Sequence, residues 1–374
     1  GASNAIALGS ERTFSGKGLL LANPHWPWEG ERRFHEVHLT IPGDIDFAGI
    51  TLAGVPGGLI GFTDSVAWSH TTSTAKQFII YTLDLVAGNP TRYRFGAEER
   101  DMEATVHTID VLQPDGSIAE QSRTLYSSHY GPMLDLGEPG LTWSADTAVS
   151  IFDINAISVS AIFGDRARAN SARELRDVYL AGGWTSGNNV IATDRHGEVF
   201  YADTTLVPML SDVAESEFRT MVESEDPSLA KFAFDRGFVL LDGSDTNFSV
   251  VVDDRAAMPG AIPFEEAPQL VGRRDYVANS NDSYWLSNSD APLTGYSLRY
   301  GDVETPRTFR YRMGLTQLAE SALWDRSGLE VLLFANRSYT AELWREPFVA
   351  YCSQFDEATS TNDETVNITE ACQA

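Results

Sequence analysis

The first ninety residues alternate between short apolar or β-branched runs and clusters of turn formers. Runs at 5–8, 18–21, 34–41, 50–52, 58–62, 66–72 and 78–83 have the length and composition of strands. Pro42-Gly43-Asp44 and Gly54-Val55-Pro56-Gly57-Gly58 supply turn chemistry between them. Residues 104–112 and 122–126 continue the alternation, joined through Pro114-Asp115-Gly116. The period then changes. Residues 171–180 predict a helix, with Ser171 as cap and Glu174 three positions later. Residues 189–194 and 198–202 predict a hairpin about Arg195-His196-Gly197. The acidic stretch 208–260 predicts no definite element. Residues 308–322 predict another helix, and 329–334 continue its period. No internal repeat is visible. Antiparallel strands first and helices later predict an α+β layered fold.

Composition narrows this picture. The chain has 374 residues, 43% of them hydrophobic, enough for a large core and in length alone for two or three domains. No apolar run reaches the ~18 residues that would suggest a membrane-spanning helix. Gly1-Ala2-Ser3-Asn4 lacks the charged start and apolar stretch of a signal peptide. The formal net charge is −26, and the only lysines are Lys17, Lys76 and Lys231. Such a surface repels nucleic acid and anionic membranes. It fits a well-solvated protein or adaptation to a salty environment. Cys352 and Cys372 bracket an acidic, Ser/Thr/Asn-rich stretch with the character of a surface loop. Their placement suggests a disulfide, and with it an oxidising compartment, periplasmic or secreted, against the alternative of two unrelated thiols. The pattern stops soon after Cys372 without a closing element, which predicts one piece of a larger protein.

The chemistry concentrates near the start. Ser3 leads straight into an apolar strand, an unusual place for a cap or a tail. A second run, Leu19-Leu20-Leu21-Ala22-Asn23-Pro24-His25-Trp26-Pro27-Trp28, follows at hairpin distance. Pairing of the two would bring Ser3 and His25 to one end of a sheet, beside the polar and aromatic groups that a substrate pocket needs. His35-Glu36-Val37-His38 looks superficially like a metal motif. Its histidines are three apart on a strand and point to opposite faces, so zinc is not expected.

These stretches resemble the β-subunit start of the penicillin acylase family, and most of all its acyl-homoserine lactone acylase and aculeacin A acylase branch. The resemblance extends through His38-Leu39-Thr40-Ile41-Pro42-Gly43, Gly61-Phe62 and Ala67-Trp68-Ser69-His70-Thr71. It reappears at Asn189-Val190-Ile191-Ala192-Thr193-Asp194 and Asn279-Ser280-Asn281-Asp282-Ser283. It is almost continuous over 3–85 and comes in islands up to about 312. The family implies an αββα sandwich of antiparallel sheets flanked by helices, the N-terminal-nucleophile (Ntn) hydrolase fold. It also implies a precursor that cuts itself before the serine, here between Ala2 and Ser3. The freed α-amino group then serves as base, as an amine titrating at about 7.7–8.0 can at neutral pH.

Site residues carry over position by position. Ser3 is the implied nucleophile, and His25 the histidine that orients its network. The backbone N–H of Thr72 and the side-chain amide of Asn281 are the implied oxyanion donors. Arg307 falls where the family keeps an arginine near the site, with Arg310 as its rival. Trp26 takes the place of the aromatic that gates the acyl pocket, Val55 lines that pocket, and Gly187 stands at its deep wall. Ser73-Thr74-Ala75-Lys76 lacks the carboxylates of the calcium-binding penicillin G acylases, so no metal and no cofactor are expected. The resemblance implies hydrolysis of a small-molecule acyl amide, an acyl-homoserine lactone or acylated peptide. Side-chain hydrolysis of β-lactams and an unprocessed, inactive binding protein stay open. As partners it implies an α-subunit from the same precursor and a further C-terminal fragment, with residues 1–374 as an incomplete β-subunit. Gly1 and Ala2 ahead of Ser3 are either a linker remnant or the residues before the scissile bond.

Overall fold

The computed structural model describes residues 2–135, 137, 141–154, 164–182, 187–225, 228–359, 361–362 and 364–373. The strand Ala2–Leu8 lies at the centre of a three-stranded antiparallel sheet, between Leu19–His25 and Tyr276–Asn279. Strand alternation gives this sheet two different faces. Ala5 and Ala7 turn inward to a second sheet, while Ile6 and Leu8 turn outward to helices. The inward side chains are small, which lets the two sheets approach closely. A methyl where Gly9 follows the strand would lie 2.3 Å from the Arg274 carbonyl oxygen, so only glycine fits that exit.

The second sheet has seven antiparallel strands. Their order is Gln269–Arg273, Val199–Asp203, Asn188–Asp194, Val66–Thr72, Ile60–Phe62, Ile45–Leu52 and Phe34–Ile41. Its far face is covered by the helix Ala172–Leu180 through Leu175 and Tyr179. The helices Phe309–Ala319 and Arg326–Phe334 cover the outer face of the small sheet through Leu318 and Leu329. The layers therefore run helix, sheet, sheet, helix. As the sequence predicts, Ser171 caps its helix by accepting the Glu174 N–H.

A third sheet builds a separate core around Tyr81, Tyr93 and Phe218. Its strand Phe78–Val86 pairs antiparallel with Thr147–Asp153 and parallel with Val239–Asp242. The region without an expected element thus holds that strand and the helices Asp212–Glu223 and Leu229–Phe234. Ala214, Phe218 and Val222 form the buried stripe of the longer helix at i, i+4 and i+8, behind the cap Ser211. The stripe is one residue wide, so the surrounding acidic residues obscure it in the sequence. The stretch read as a loop before Cys372 contains the paired strands Glu357–Thr359 and Thr365–Asn367, and Cys352 is bonded to Cys372.

Arg299 is enclosed and ties the third core to the sandwich. Its Nε and Nη2 donate to Glu215 Oε2 at 3.2 and 2.7 Å, and Nη1 donates to the Pro208 carbonyl. Glu215 also accepts from Ser297 Oγ at 2.6 Å. Glu215→Ala leaves this cation unpaired in the interior, and we expect it to cost about 3–5 kcal/mol of stability. Denaturant unfolding measures this; a loss below about 1 kcal/mol, the worth of an exposed ion pair, would show that the pair is solvated.

Candidate active site

Ser3 is the second residue of the central strand, opposite Pro24, and is buried. Its backbone nitrogen donates to Asn281 Oδ1 at 2.5 Å. The Asn281 Nδ2 donates to the Thr72 carbonyl at 3.0 Å. One amide therefore joins the serine strand to the edge of the seven-stranded sheet. Asn281 holds a left-handed backbone, φ +63°, which asparagine tolerates better than most residues. Its own N–H donates to Asn279 Oδ1 at 2.8 Å, an Asx-type bond that fixes the turn.

Asn279 is the junction beneath it. Its Oδ1 also accepts from Thr71 Oγ1 at 2.6 Å, and its Nδ2 donates to the Asp282 carbonyl at 2.9 Å. Asn189 Nδ2 reaches Thr71 Oγ1 at 3.1 Å, and Tyr201 O–H donates to Asn189 Oδ1 at 2.7 Å. Both asparagines lie in stretches that the sequence marks as informative, yet their roles are visible only in three dimensions. Tyr201 carries no sequence signal beyond its apolar strand.

Thr72 ends its strand at an exposed edge. The Ser73 N–H bonds to the Gly187 carbonyl at 2.9 Å. Antiparallel alternation then directs the Thr72 N–H away from the Asn188 strand. On that side the strand Ile60–Phe62 pairs only as far as Trp68, so no strand among the described residues takes the N–H, which lies on the same side as the Asn281 amide. Asn281 Nδ2 has a second hydrogen beyond the one given to Thr72. The edge thus presents two donors side by side.

Arg310, and not Arg307, is the arginine at this site. Its guanidinium donates to the Ser3 carbonyl at 3.2 Å, to Asn281 Oδ1 at 3.1 Å and to the Ser280 carbonyl. Thr308 caps the helix that follows. Arg307 therefore precedes the first turn and is exposed, 5.9 Å from the Tyr311 ring. Arg310 lies within that turn and faces the sheet.

His25 is paired with Ala2, one position out of phase with Ser3, so the two side chains leave opposite faces of the hairpin. The ring is exposed and makes no hydrogen bond with a described residue. Partial burial and the charge of Arg310 hold its pKa below the ordinary value, which keeps it neutral at pH 7. Trp26 stacks on Phe34 with ring centroids 5.6 Å apart and donates Nε1–H to the Arg32 carbonyl. Val55 lies in a turn closed by its N–H on the Leu52 carbonyl at 3.1 Å. Gly187 has φ +71°, and a methyl there would lie 2.4 Å from Gln77 Nε2. Backbone geometry and contact with Gln77 account for this glycine. His38 Nε2 lies 2.6 Å from Asp46 Oδ1 across a strand pair.

Next to the site, Asp203 is enclosed. Ser73 Oγ and the Thr205 N–H donate to it at 2.6 and 3.0 Å. Burial outweighs these bonds and raises its pKa from 3.8 to about 6.

Four layers, with a serine on the central strand held against a sheet edge that offers paired N–H donors, define a hydrolase fold of the N-terminal-nucleophile class. The chain belongs to the penicillin amidase family, whose model matches residues 2–373. It is 36% identical to aculeacin-A acylase of Actinoplanes utahensis over 100% of this chain and 47% of that protein. It is also 36% identical to acyl-homoserine lactone acylase PvdQ of Pseudomonas fluorescens, over 94% of this chain and 44% of that protein. The chain thus spans about half the length of these relatives. Its fold matches that of a thermostable penicillin G acylase from Alcaligenes faecalis with a TM-score of 0.64 at 19% identity, over 94% of this chain and 56% of that one.

The Asp203 environment has a measurable consequence. A carboxyl whose folded pKa is raised stabilises the fold below its ordinary pKa, and this contribution is lost as pH rises towards the folded value. The window here runs from about 4 to about 6. Asp203→Asn cannot ionise and keeps the same shape. Relative to the parent, the variant should gain roughly 2–3 kcal/mol between pH 4 and pH 7. Paired unfolding curves across that range test this, and a stability difference that stays constant with pH would contradict it.

Proposed function

We propose that this chain carries the nucleophile and oxyanion donors of an amide acylase, with Ser3 as the attacking residue. The observation that carries this reading is the Asn281 amide, shared between the Ser3 nitrogen and the Thr72 carbonyl. An amide nitrogen is not basic, so the reading requires cleavage of the Ala2–Ser3 bond. The freed amine then takes the Ser3 Oγ proton as Oγ attacks the substrate carbonyl. The developing oxyanion accepts from the Thr72 N–H and the second Asn281 Nδ2–H. Collapse passes the proton to the leaving nitrogen and leaves an acyl-serine ester. Water then attacks the ester by the same proton path and releases the acid.

Two relatives named as acylases, one of them for acyl-homoserine lactones, favour a linear acyl amide as substrate. A penicillin or cephalosporin side chain is the competing amide. The partners are an α-subunit cut from the same precursor and a further C-terminal fragment. The helix Tyr339–Cys352 supports them, because it buries none of its side chains and exposes Leu343, Trp344, Phe348 and Val349. A contiguous apolar surface of this kind is characteristic of one covered by other polypeptide. The bonded Cys352–Cys372 pair supports a periplasmic or secreted location.

In the full-length protein, Ser3→Ala should abolish both self-cleavage and release of acid from acyl-homoserine lactones or penicillins. Asn281→Ala should lower kcat by about 10²–10³-fold, the usual effect of losing one oxyanion donor. Arg310→Ala should cost at least about tenfold through lost positioning, whereas Arg307→Ala should stay within about twofold. Retained turnover in Ser3→Ala, or a larger loss in Arg307→Ala than in Arg310→Ala, would refute these assignments.

A further inference from the structure

Asp203 closes the strand Val199–Asp203 and is 1% exposed. No cation pairs with it among the described residues, and none contributes to its pKa. Its two oxygens take different donors. Oδ1 accepts from the Thr205 N–H at 3.0 Å, and Oδ2 accepts from Ser73 Oγ at 2.6 Å. The Asp203 N–H donates to the Pro268 carbonyl at 2.9 Å, and the residue is paired with Asn189 on the next strand. The carboxylate is therefore fixed in the sheet, and what it fixes in turn is Ser73.

Ser73 directly follows the edge that carries the donors. Its N–H is held by the Gly187 carbonyl at 2.9 Å, and its Oγ also accepts from the Ala75 N–H at 2.9 Å. The Thr72 carbonyl is the acceptor for Asn281 Nδ2. A shift of Ser73 thus moves the anchor of one donor and the backbone of the other. Further along, Thr74 Oγ1 donates to the Tyr300 carbonyl at 3.2 Å, and the Lys76 N–H to the Arg299 carbonyl at 2.7 Å. Of these ties, only the one to Asp203 has an ionisable acceptor. A carboxylate makes it about twice as strong as a neutral hydrogen bond.

The geometry also says why a carboxylate is needed. The Thr205 N–H can only donate, so a proton on the acid falls on Oδ2 and not on Oδ1. Ser73 Oγ, which already accepts from Ala75, then accepts from Oδ2 as well, and its own hydrogen loses its acceptor. An amide at position 203 has the same defect. The titratable groups that face Asp203 are phenols: Tyr201 on its own strand, with Tyr284 and Tyr300 from the chain after Asn281. Burial pushes all three up, Tyr284 to about 12, so none of them changes charge between pH 5 and pH 8. Burial also works against the Asp203 carboxylate at neutral pH. A group that opposes folding and lies one hydrogen bond from the reacting edge has the character of one kept for activity.

We propose that Asp203, as the carboxylate, is a positioning residue for the Thr72–Ser73 peptide and through it for both oxyanion donors, so that protonating it slows the chemical step. The proposal rests on the acylase reading above and adds a pH-dependent control of the same edge.

The test compares the full-length protein with Asp203→Asn and Ser73→Ala, on an acyl-homoserine lactone or penicillin that the parent hydrolyses. At pH 8 each variant should lose about tenfold in kcat with KM within about twofold, as expected for an interaction that acts in the transition state. At pH 5 each should come within about twofold of the parent, whose own Asp203 is then protonated. The Ser3 amine titrates in all three proteins and cancels in the ratio. The double variant should lose no more than either single one, because both remove the same bond. A ratio that stays constant with pH, a loss confined to KM, or additive losses would overturn the proposal. If Asp203→Asn does not fold, Ser73→Ala, which removes one hydroxyl, decides by the same ratio. If the parent hydrolyses neither amide, the acylase reading fails, and hydrogen exchange of the Ser73 amide decides the positioning role separately. Exchange about tenfold faster in Asp203→Asn than in the parent at pH 8, and equal at pH 5, supports it; equal exchange at both overturns it.

Discussion

Everything at this site hangs on one side-chain amide. Asn281 spans the gap between two sheets that share no strand, with Oδ1 on the Ser3 nitrogen and Nδ2 on the Thr72 carbonyl. It can do so only because its backbone is left-handed and is held there by Asn279. Asn279 in turn needs Thr71 at 2.6 Å, and hence close contact between the sheets. Ala5 and Ala7 allow that contact on the inner face of the central strand. The small residues, the asparagine pair and the sheet edge are one construction. A larger inward side chain at position 5 would act on Ser3 through Asn279, without touching it.

Charge adds a second layer to this construction. The chain carries a formal −26, yet it places arginines inside. Arg299 is neutralised by Glu215 and serves cohesion. Arg310 is bound mainly by uncharged oxygens of Ser3, Ser280 and Asn281, so its positive charge is retained beside the serine. In the proposed acylase it opposes a second positive charge on the freed Ser3 amine, as a base used at neutral pH requires. An acidic exterior with a cation at this inner position suits the proposed chemistry, which passes through an oxyanion and ends in a carboxylate.

Much of this was legible in the sequence, for identifiable reasons. The strands 34–41 and 66–72 appear as written, because β-branched residues bounded by turn formers leave few other options. Ser3, Thr72 and Asn281 each lie in a run of several distinctive residues, and the fold brings the three together. Arg307 and Arg310 stayed rivals because spacing alone does not phase a helix. Thr308 does phase it: a threonine cap puts the preceding residue outside and the second helical residue on the sheet. The hairpin brings His25 to the Ser3 end of the sheet as the spacing predicts, while its face depends on a one-residue offset that spacing does not fix. The pairing of Arg299 with Glu215 joins residues 84 apart in sequence, and no local pattern carries that.

The central claim is that Ser3, freed at its nitrogen, forms the acyl bond. It is tested most directly by quenching the active protein during turnover of a slow ester and mapping the acylated peptide. The account predicts an acylated peptide whose first residue is Ser3, with the added mass on that residue. An acyl group on any other residue, or an active polypeptide in which Ala2 is still joined to Ser3, would contradict it.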